Sequence, residues 1–204
     1  GTSKEIYECK ICQARKITSQ PFSSVLINIE EHNSMGSALT NHTEATDVHG
    51  AIFCDVCGSH NPFTTWVSMD EVPEFLILRV GRTLSDGSKL ESHLSLDETL
   101  QSQDYPGIGM HSDYKLVAVL VHQGSSVNSG HYWTHVHHQG EWFRCEDHAV
   151  TASSFQEAHR EVTSGLVYRR IRNEIIAEAL NPDDGEEGLL MIGDSVVIIL
   201  VWSC

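Results

Sequence analysis

Apolar positions fall in short runs separated by long polar stretches, a pattern of strands joined by surface segments. Residues 22–29 (FSSVLINI) are short, apolar and β-branched, and predict a strand. Residues 33–49 are rich in Ser, Thr, Asn and His and read as an excursion over the surface. FLILRV at 75–80 follows Pro73 and predicts a buried strand, whereas the mixed stretch 83–113 predicts long connections. YKLVAVLV at 114–121 is the clearest strand, too short and too β-branched to prefer a helix. GSSVNSG at 124–130 reads as a loop, HYWTHV at 131–136 as a second strand, and EWFRC at 141–145, after a turn at Gly140, as a third. These three predict an antiparallel meander with histidines at its edge. Ser153 to Val162 predicts a short helix, with Ser153 as N-cap, Gln156 completing a capping box and Gly165 ending it. LVYRRI at 166–171 predicts a closing strand.

Composition narrows the class. The apolar set makes up 40% of 204 residues and charged residues 20%, enough for a packed core in one domain or two small ones. The net charge of −15 argues against a nucleic-acid binder that works by neutralising phosphates and favours a basic partner surface. Residues 173–204 hold seven acids and no Lys or Arg, which leaves −8 for residues 1–172. We read 173–204 as an acidic linker and an apolar tail. The apolar run from Leu189 to Trp202 is shorter than the about 20 residues a membrane span needs, so no span is expected. Its VVIILVW segment at 196–202 suits an added strand, a partner segment or an aggregation-prone end. The opening Gly1-Thr2-Ser3-Lys4 has no signal-peptide character, which predicts an intracellular protein of cytoplasm or nucleus, cut from a longer chain.

Four of the six cysteines form two CxxC pairs, Cys9–Cys12 and Cys54–Cys57. Two intervening residues let both thiolates of a pair turn to one cation, and Gly58 after the second pair permits a tight turn. Zinc takes four such sulfurs tetrahedrally, at about 2.3 Å each, and a four-sulfur site is structural because no position is left open. Forty-one residues separate Cys12 from Cys54, so the metal would clip the base of an excursion holding residues 13–53 as one projecting unit. Redox pairs, disulfides and inert thiols are the alternatives, but a redox pair would follow a strand and open a helix, a pattern absent here.

Seven of the thirteen histidines lie between His111 and His148. His131 opens the second strand of the meander, and Glu146 and Asp147 follow the third. A hairpin of that length can return an acid to the base of the His-bearing strand, the arrangement of a general base oriented by a carboxylate. The plainer reading is a structural histidine near an acid. His135 and His137 share strand spacing with His131; a metal site there would need a third ligand, and a solvated strand face is expected instead.

These motifs together resemble the ubiquitin-specific proteases, a family of cysteine deubiquitinases, from about Glu5 to Arg172. The two CxxC pairs stand where that family holds zinc in its fingers. VPEFLILRVGR (72–82), YKLVAVLVHQG, SGHYWTHV, EWFRCEDHAV and LVYRRI follow its palm and histidine box in order. The resemblance implies an α+β, predominantly antiparallel β, papain-like fold that is incomplete, with fingers at about 5–68 and palm at about 72–172. It implies one structural Zn2+ on Cys9, Cys12, Cys54 and Cys57, and ubiquitin or a ubiquitinated protein as partner. It also implies hydrolysis of the (iso)peptide bond after ubiquitin's C-terminal glycine, with His131 as general base.

Glu146 stands where that family has the Asn or Asp that orients the histidine. Its extra methylene can overshoot the ring nitrogen, so Glu146 and Asp147 both stand as candidates for the residue that orients His131. The family's nucleophile box, with its Gly-Asn-x-Cys-Tyr core, is absent from these residues. An upstream segment of the same longer chain is therefore expected to carry it, and this chain alone is expected to be inactive. The rival is a non-catalytic ubiquitin-binding or scaffold protein that retains fingers and palm.

Overall fold

The computed structural model describes residues 1–126 and 129–171. The acidic linker and apolar tail expected at 173–204, with Cys204, lie outside the described residues. No helix among the described residues is long and apolar enough to cross a membrane.

The chain begins with β1 (Thr2–Cys9) and β2 (Arg15–Pro21), paired antiparallel from Thr2↔Pro21 to Glu8↔Arg15. After β3 (Val25–Asn28) comes α1 (Met35–Thr43), then β4 (Thr46–Asp47), β5 (Ile52–Cys54), β6 (Ser59–Asn61) and β7 (Phe63–Glu71). β1, β2, β4 and β7 form one four-stranded sheet in the order β2-β1-β7-β4, and β5 and β6 form a hairpin of their own. β2 (RKITSQP) is exposed along its whole length. A strand with no buried face carries no apolar signal, which is why β2 is silent in the hydrophobic pattern.

The larger sheet carries the candidate histidine. It takes β8 (Phe75–Gly81), β9 (Thr99–Leu100), β10 (Tyr114–Ser126), β11 (Ser129–His138), β12 (Glu141–Glu146), β13 (Ala149–Ser153) and, after α2 (Phe155–Arg160), β14 (Thr163–Arg170). Its order is β13-β12-β11-β10-β14-β8-β3, with β9 beside β10. Every pair is antiparallel except β3–β8, which is parallel. Among the described residues the fold is mostly antiparallel β with two short α-helices, the α+β class that the resemblance implies.

Several expectations change. Residues 33–49 are not a surface excursion, because α1 buries Met35, Ala38 and Leu39 in the main core beside Ile27, Leu76 and Leu78. Their i, i+3, i+4 spacing makes one apolar stripe, and Ser34 caps the helix by accepting the Ser37 N–H at 3.2 Å. Residues 13–53 are therefore not one projecting unit, since β3 and α1 pack into the main core. FLILRV is buried on one face only, with Leu76, Leu78 and Val80 inside and Ile77 outside. Residues 124–126 and 129–130, expected in a loop, belong to β10 and β11, which pair Ser126 with Ser129. α2 starts one residue later than expected: Ser154 is the N-cap and Glu157, not Gln156, supplies the amide it accepts. Gly165 does not end that helix but sits inside β14, opposite Leu120 and Arg79.

Candidate active site and metal centre

The two cysteine pairs are built alike. Cys9 ends β1, and its carbonyl accepts the Gln13 N–H at 2.8 Å; Cys54 ends β5, and its carbonyl accepts the Gly58 N–H at 2.9 Å. Gln13 and Gly58 both lie in the left-handed region, at φ 61° and 66°. The hydrogen bond closes the turn that carries both cysteines of each pair, and the left-handed residue redirects the chain after the second. The four Sγ atoms gather within 4.8 Å of one another, with Cys12 and Cys54 3.6 Å apart. A tetrahedron of sulfurs about 2.3 Å from a central zinc has edges of about 3.8 Å, so this donor set fits that ion. All five described cysteines are unpaired as disulfides.

Cys9 and Cys54 are buried against Phe63, and the Asn61 side chain donates to Cys9 Sγ at 3.7 Å. Backbone N–H groups, that of Cys12 above all, hold the Cys9 thiol down at about 6. Crowding against Cys12, together with burial and the other two sulfurs, pushes Cys57 up to about 12. Four sulfurs this close cannot all ionise without a cation among them.

The histidine site lies at the opposite end of the topology, on the β10–β11–β12 meander. Gln123 pairs with His131 across β10 and β11. Gly130 is required just before His131, since a Cβ there would lie 2.2 Å from His122 Nε2 and 2.4 Å from the Gln123 carbonyl. Lys89, almost fully buried, donates to the carbonyls of His122 at 3.1 Å and Gly124 at 2.7 Å and fixes the end of β10. Arg82 is 5% exposed and donates to the carbonyls of Thr163, Leu90 and Ser92, which secures the loop that carries Lys89.

At the end of β12, Glu146 Oε1 meets His131 Nε2 at 2.6 Å. Glu146 does not overshoot: the two residues are diagonal across the hairpin, and the longer side chain spans that gap. Asp147 takes φ 47° in the two-residue turn between β12 and β13, and among the described residues its carboxylate has no partner. Of the two candidate acids, the structure brings Glu146 to His131 and not Asp147. Arg144, two residues before Glu146 and on the same strand face, donates to Oε2 from Nε at 2.9 Å and sits 2.8 Å away through Nη2. The His131 hydrogen bond, helped by the Arg144 charge, holds the Glu146 carboxyl below the usual range. It is therefore an anion at neutral pH. The imidazole meets this anion through Nε2, which leaves Nδ1 outside that contact.

Sequence reasoning missed Arg144, Lys89 and Arg82. The Arg144/Glu146 spacing of two was a usable signal; the other two residues reach the site only through the folded loop at 83–98. His135 is not on a solvated face, as was expected, but is 1% exposed, with Nδ1 2.8 Å from Ser153 Oγ, and burial lowers its pKa. His137 is half-buried, its ring 5.3 Å from that of Trp142.

Against known proteins, the family model described as Ubiquitin carboxyl-terminal hydrolase covers residues 1–171. The chain is 32% identical over 169 residues to the human Ubiquitin carboxyl-terminal hydrolase 17-like protein 5, which covers 79% of this chain and 32% of that protein. It is 28% identical over 184 residues to the mouse Ubiquitin carboxyl-terminal hydrolase 17-like protein B, which covers 87% of this chain and 39% of that one. The chain thus spans less than two-fifths of the length of these curated relatives. It superposes on the SAGA Ubp8/Sgf11/Sus1/Sgf73 DUB module bound to ubiquitin aldehyde with a TM-score of 0.74 at 23% identity, covering 84% of this chain and 41% of that one. A yeast SAGA DUBm structure gives 0.75 at 24% identity, with coverage of 84% and 41%. Likeness at this identity is likeness of fold.

Proposed function

This chain belongs to the ubiquitin carboxyl-terminal hydrolase family, and from that premise we propose that it is the fingers-and-palm part of a cysteine-type deubiquitinase, with His131 as general base. The observation that carries the reading is the 2.6 Å contact between His131 Nε2 and Glu146 Oε1. A carboxylate on Nε2 holds the imidazole in the tautomer whose Nδ1 lone pair can accept a thiol proton. The same carboxylate stabilises the imidazolium that results.

The thiolate then attacks the carbonyl carbon of the (iso)peptide bond after ubiquitin's last glycine. The imidazolium returns its proton to the leaving amine as the C–N bond breaks. Water, deprotonated by the neutral His131, hydrolyses the thioester and regenerates the thiol. Ubiquitin as the partner accords with the relatives' names and with the ubiquitin aldehyde bound to the structural neighbour. The net −8 of residues 1–172 suits a basic partner segment.

The nucleophile in this reading comes from outside these 204 residues. Cys9, Cys12, Cys54 and Cys57 are gathered in one cluster, Cys145 lies within β12, and Cys204 is beyond the described residues. The sulfur cluster would hold one structural zinc, which supplies a cross-link between the two knuckles. Assay of the isolated chain tests this: it is expected to bind ubiquitin and release no fluorophore from a ubiquitin–fluorophore conjugate, while the complete protein does. Turnover by the isolated chain would overturn the external nucleophile.

A further inference from the structure

Glutamate is a loose choice for orienting an imidazole, since it has one more rotatable bond than aspartate and more entropy to lose. Here its two oxygens are divided between two partners. Oε1 faces His131 Nε2 at 2.6 Å, and Oε2 is gripped by Nε and Nη2 of Arg144 at 2.9 and 2.8 Å. Arg144 is itself held in place. Its guanidinium carbon lies 4.3 Å from the ring of Trp133, a buried residue on the neighbouring strand, and Nη1 is 3.9 Å from Glu161 Oε1. The Trp133 ring also lies 5.8 Å from that of His131. One indole therefore supports both the base and the cation that steers the base's partner.

We propose that Arg144 is the positioning residue of this site, fixing Glu146 Oε2 on a platform made by Trp133 so that Oε1 is aimed at His131 Nε2. The inference rests on His131 being the base, as proposed above. A guanidinium suits the task because its planar fork stacks on an aromatic face while two of its N–H groups reach one carboxylate. A lysine ammonium keeps the charge but offers neither the stacking plane nor the two-point grip.

The test reads the His131 ring directly, in long-range 1H–15N spectra of the 204-residue chain with His131 neutral. The wild type is expected in the form protonated at Nε2 and bare at Nδ1. Arg144→Met is expected to lower the ratio of that tautomer to the other about fivefold or more, the scale of losing one ordered charge-assisted contact. Arg144→Lys is expected to fall between the two. An unchanged ratio in either variant, with wild-type amide dispersion, overturns the proposal, and Arg144→Lys decides the matter if Arg144→Met does not fold. In the complete protein, Arg144→Met is expected to lower kcat and leave KM unchanged; a raised KM at unchanged kcat would contradict the positioning role. The two readings remain separable, because a complete protein without hydrolase activity overturns the proposed function while the tautomer ratio still judges Arg144.

Discussion

Gln13 and Gly58 occupy the same station in the two cysteine knuckles, at φ 61° and 66°, each donating its N–H to the carbonyl of the knuckle's first cysteine. Only one is the residue this backbone favours. A non-glycine residue in this region carries a cost of about 1–2 kcal/mol, partly offset because glycine loses more freedom on folding. Gln13→Gly is therefore expected to leave stability unchanged or raise it by up to about 1 kcal/mol. Gly58→Ala is expected to cost about 1–2 kcal/mol, although a Cβ there would meet nothing within 4 Å. Denaturant melts of the two variants check the pair.

The sulfur cluster predicts one zinc per chain by elemental analysis. Cys12→Ser and Cys57→Ser are each expected to reduce that content. Chelation is expected to disturb amide signals around β1, β5 and β6 and to leave those of β10 and β14 in place, because the main core is apolar and separate from the sulfurs.

Burial lowers the pKa of His42, His122, His135, His137 and His159 below the ordinary 6.5. Below that value the unfolded chain binds more protons at these rings than the folded one. Stability is therefore expected to be full above about pH 6.5 and to fall as pH drops through the lower folded values. Melting temperatures between pH 7.5 and 5.5 measure it, and His135→Gln is expected to flatten the slope.

Leu39 is fully buried with Met35 and Ala38 in the main core beside Ile27, Leu76 and Leu78. Leu39→Ala is expected to cost about 2–5 kcal/mol. The loss should broaden signals of β3 and β8 rather than those of the knuckles, because α1 belongs to the main core. Hydrogen exchange on the variant reads both regions.

Legibility followed burial. β10, β11, β12 and β14 each carry apolar runs and are visible in the sequence, as are the four cysteines, whose spacing is a local property. β2 is wholly exposed and leaves no trace in the pattern. α1 is hidden because Gly, Ser, Thr and Asn surround an apolar stripe of three residues. Glu146 and Asp147 are neighbours in sequence, and only the turn geometry at Asp147 separates the one that reaches His131 from the one that does not. Arg82 and Lys89 act through carbonyls far along the chain, a relationship no spacing encodes.

The central claim is that His131 is the base of a thiol hydrolase and Glu146 its partner. Turnover of a ubiquitin–fluorophore conjugate by the complete protein tests it most directly, with His131→Gln and Glu146→Gln measured beside the wild type. His131→Gln is expected to lower kcat by about 10²–10⁴-fold, Glu146→Gln by less, and neither to weaken ubiquitin binding. Wild-type turnover in His131→Gln, or a complete protein that binds ubiquitin and hydrolyses nothing, would contradict the account.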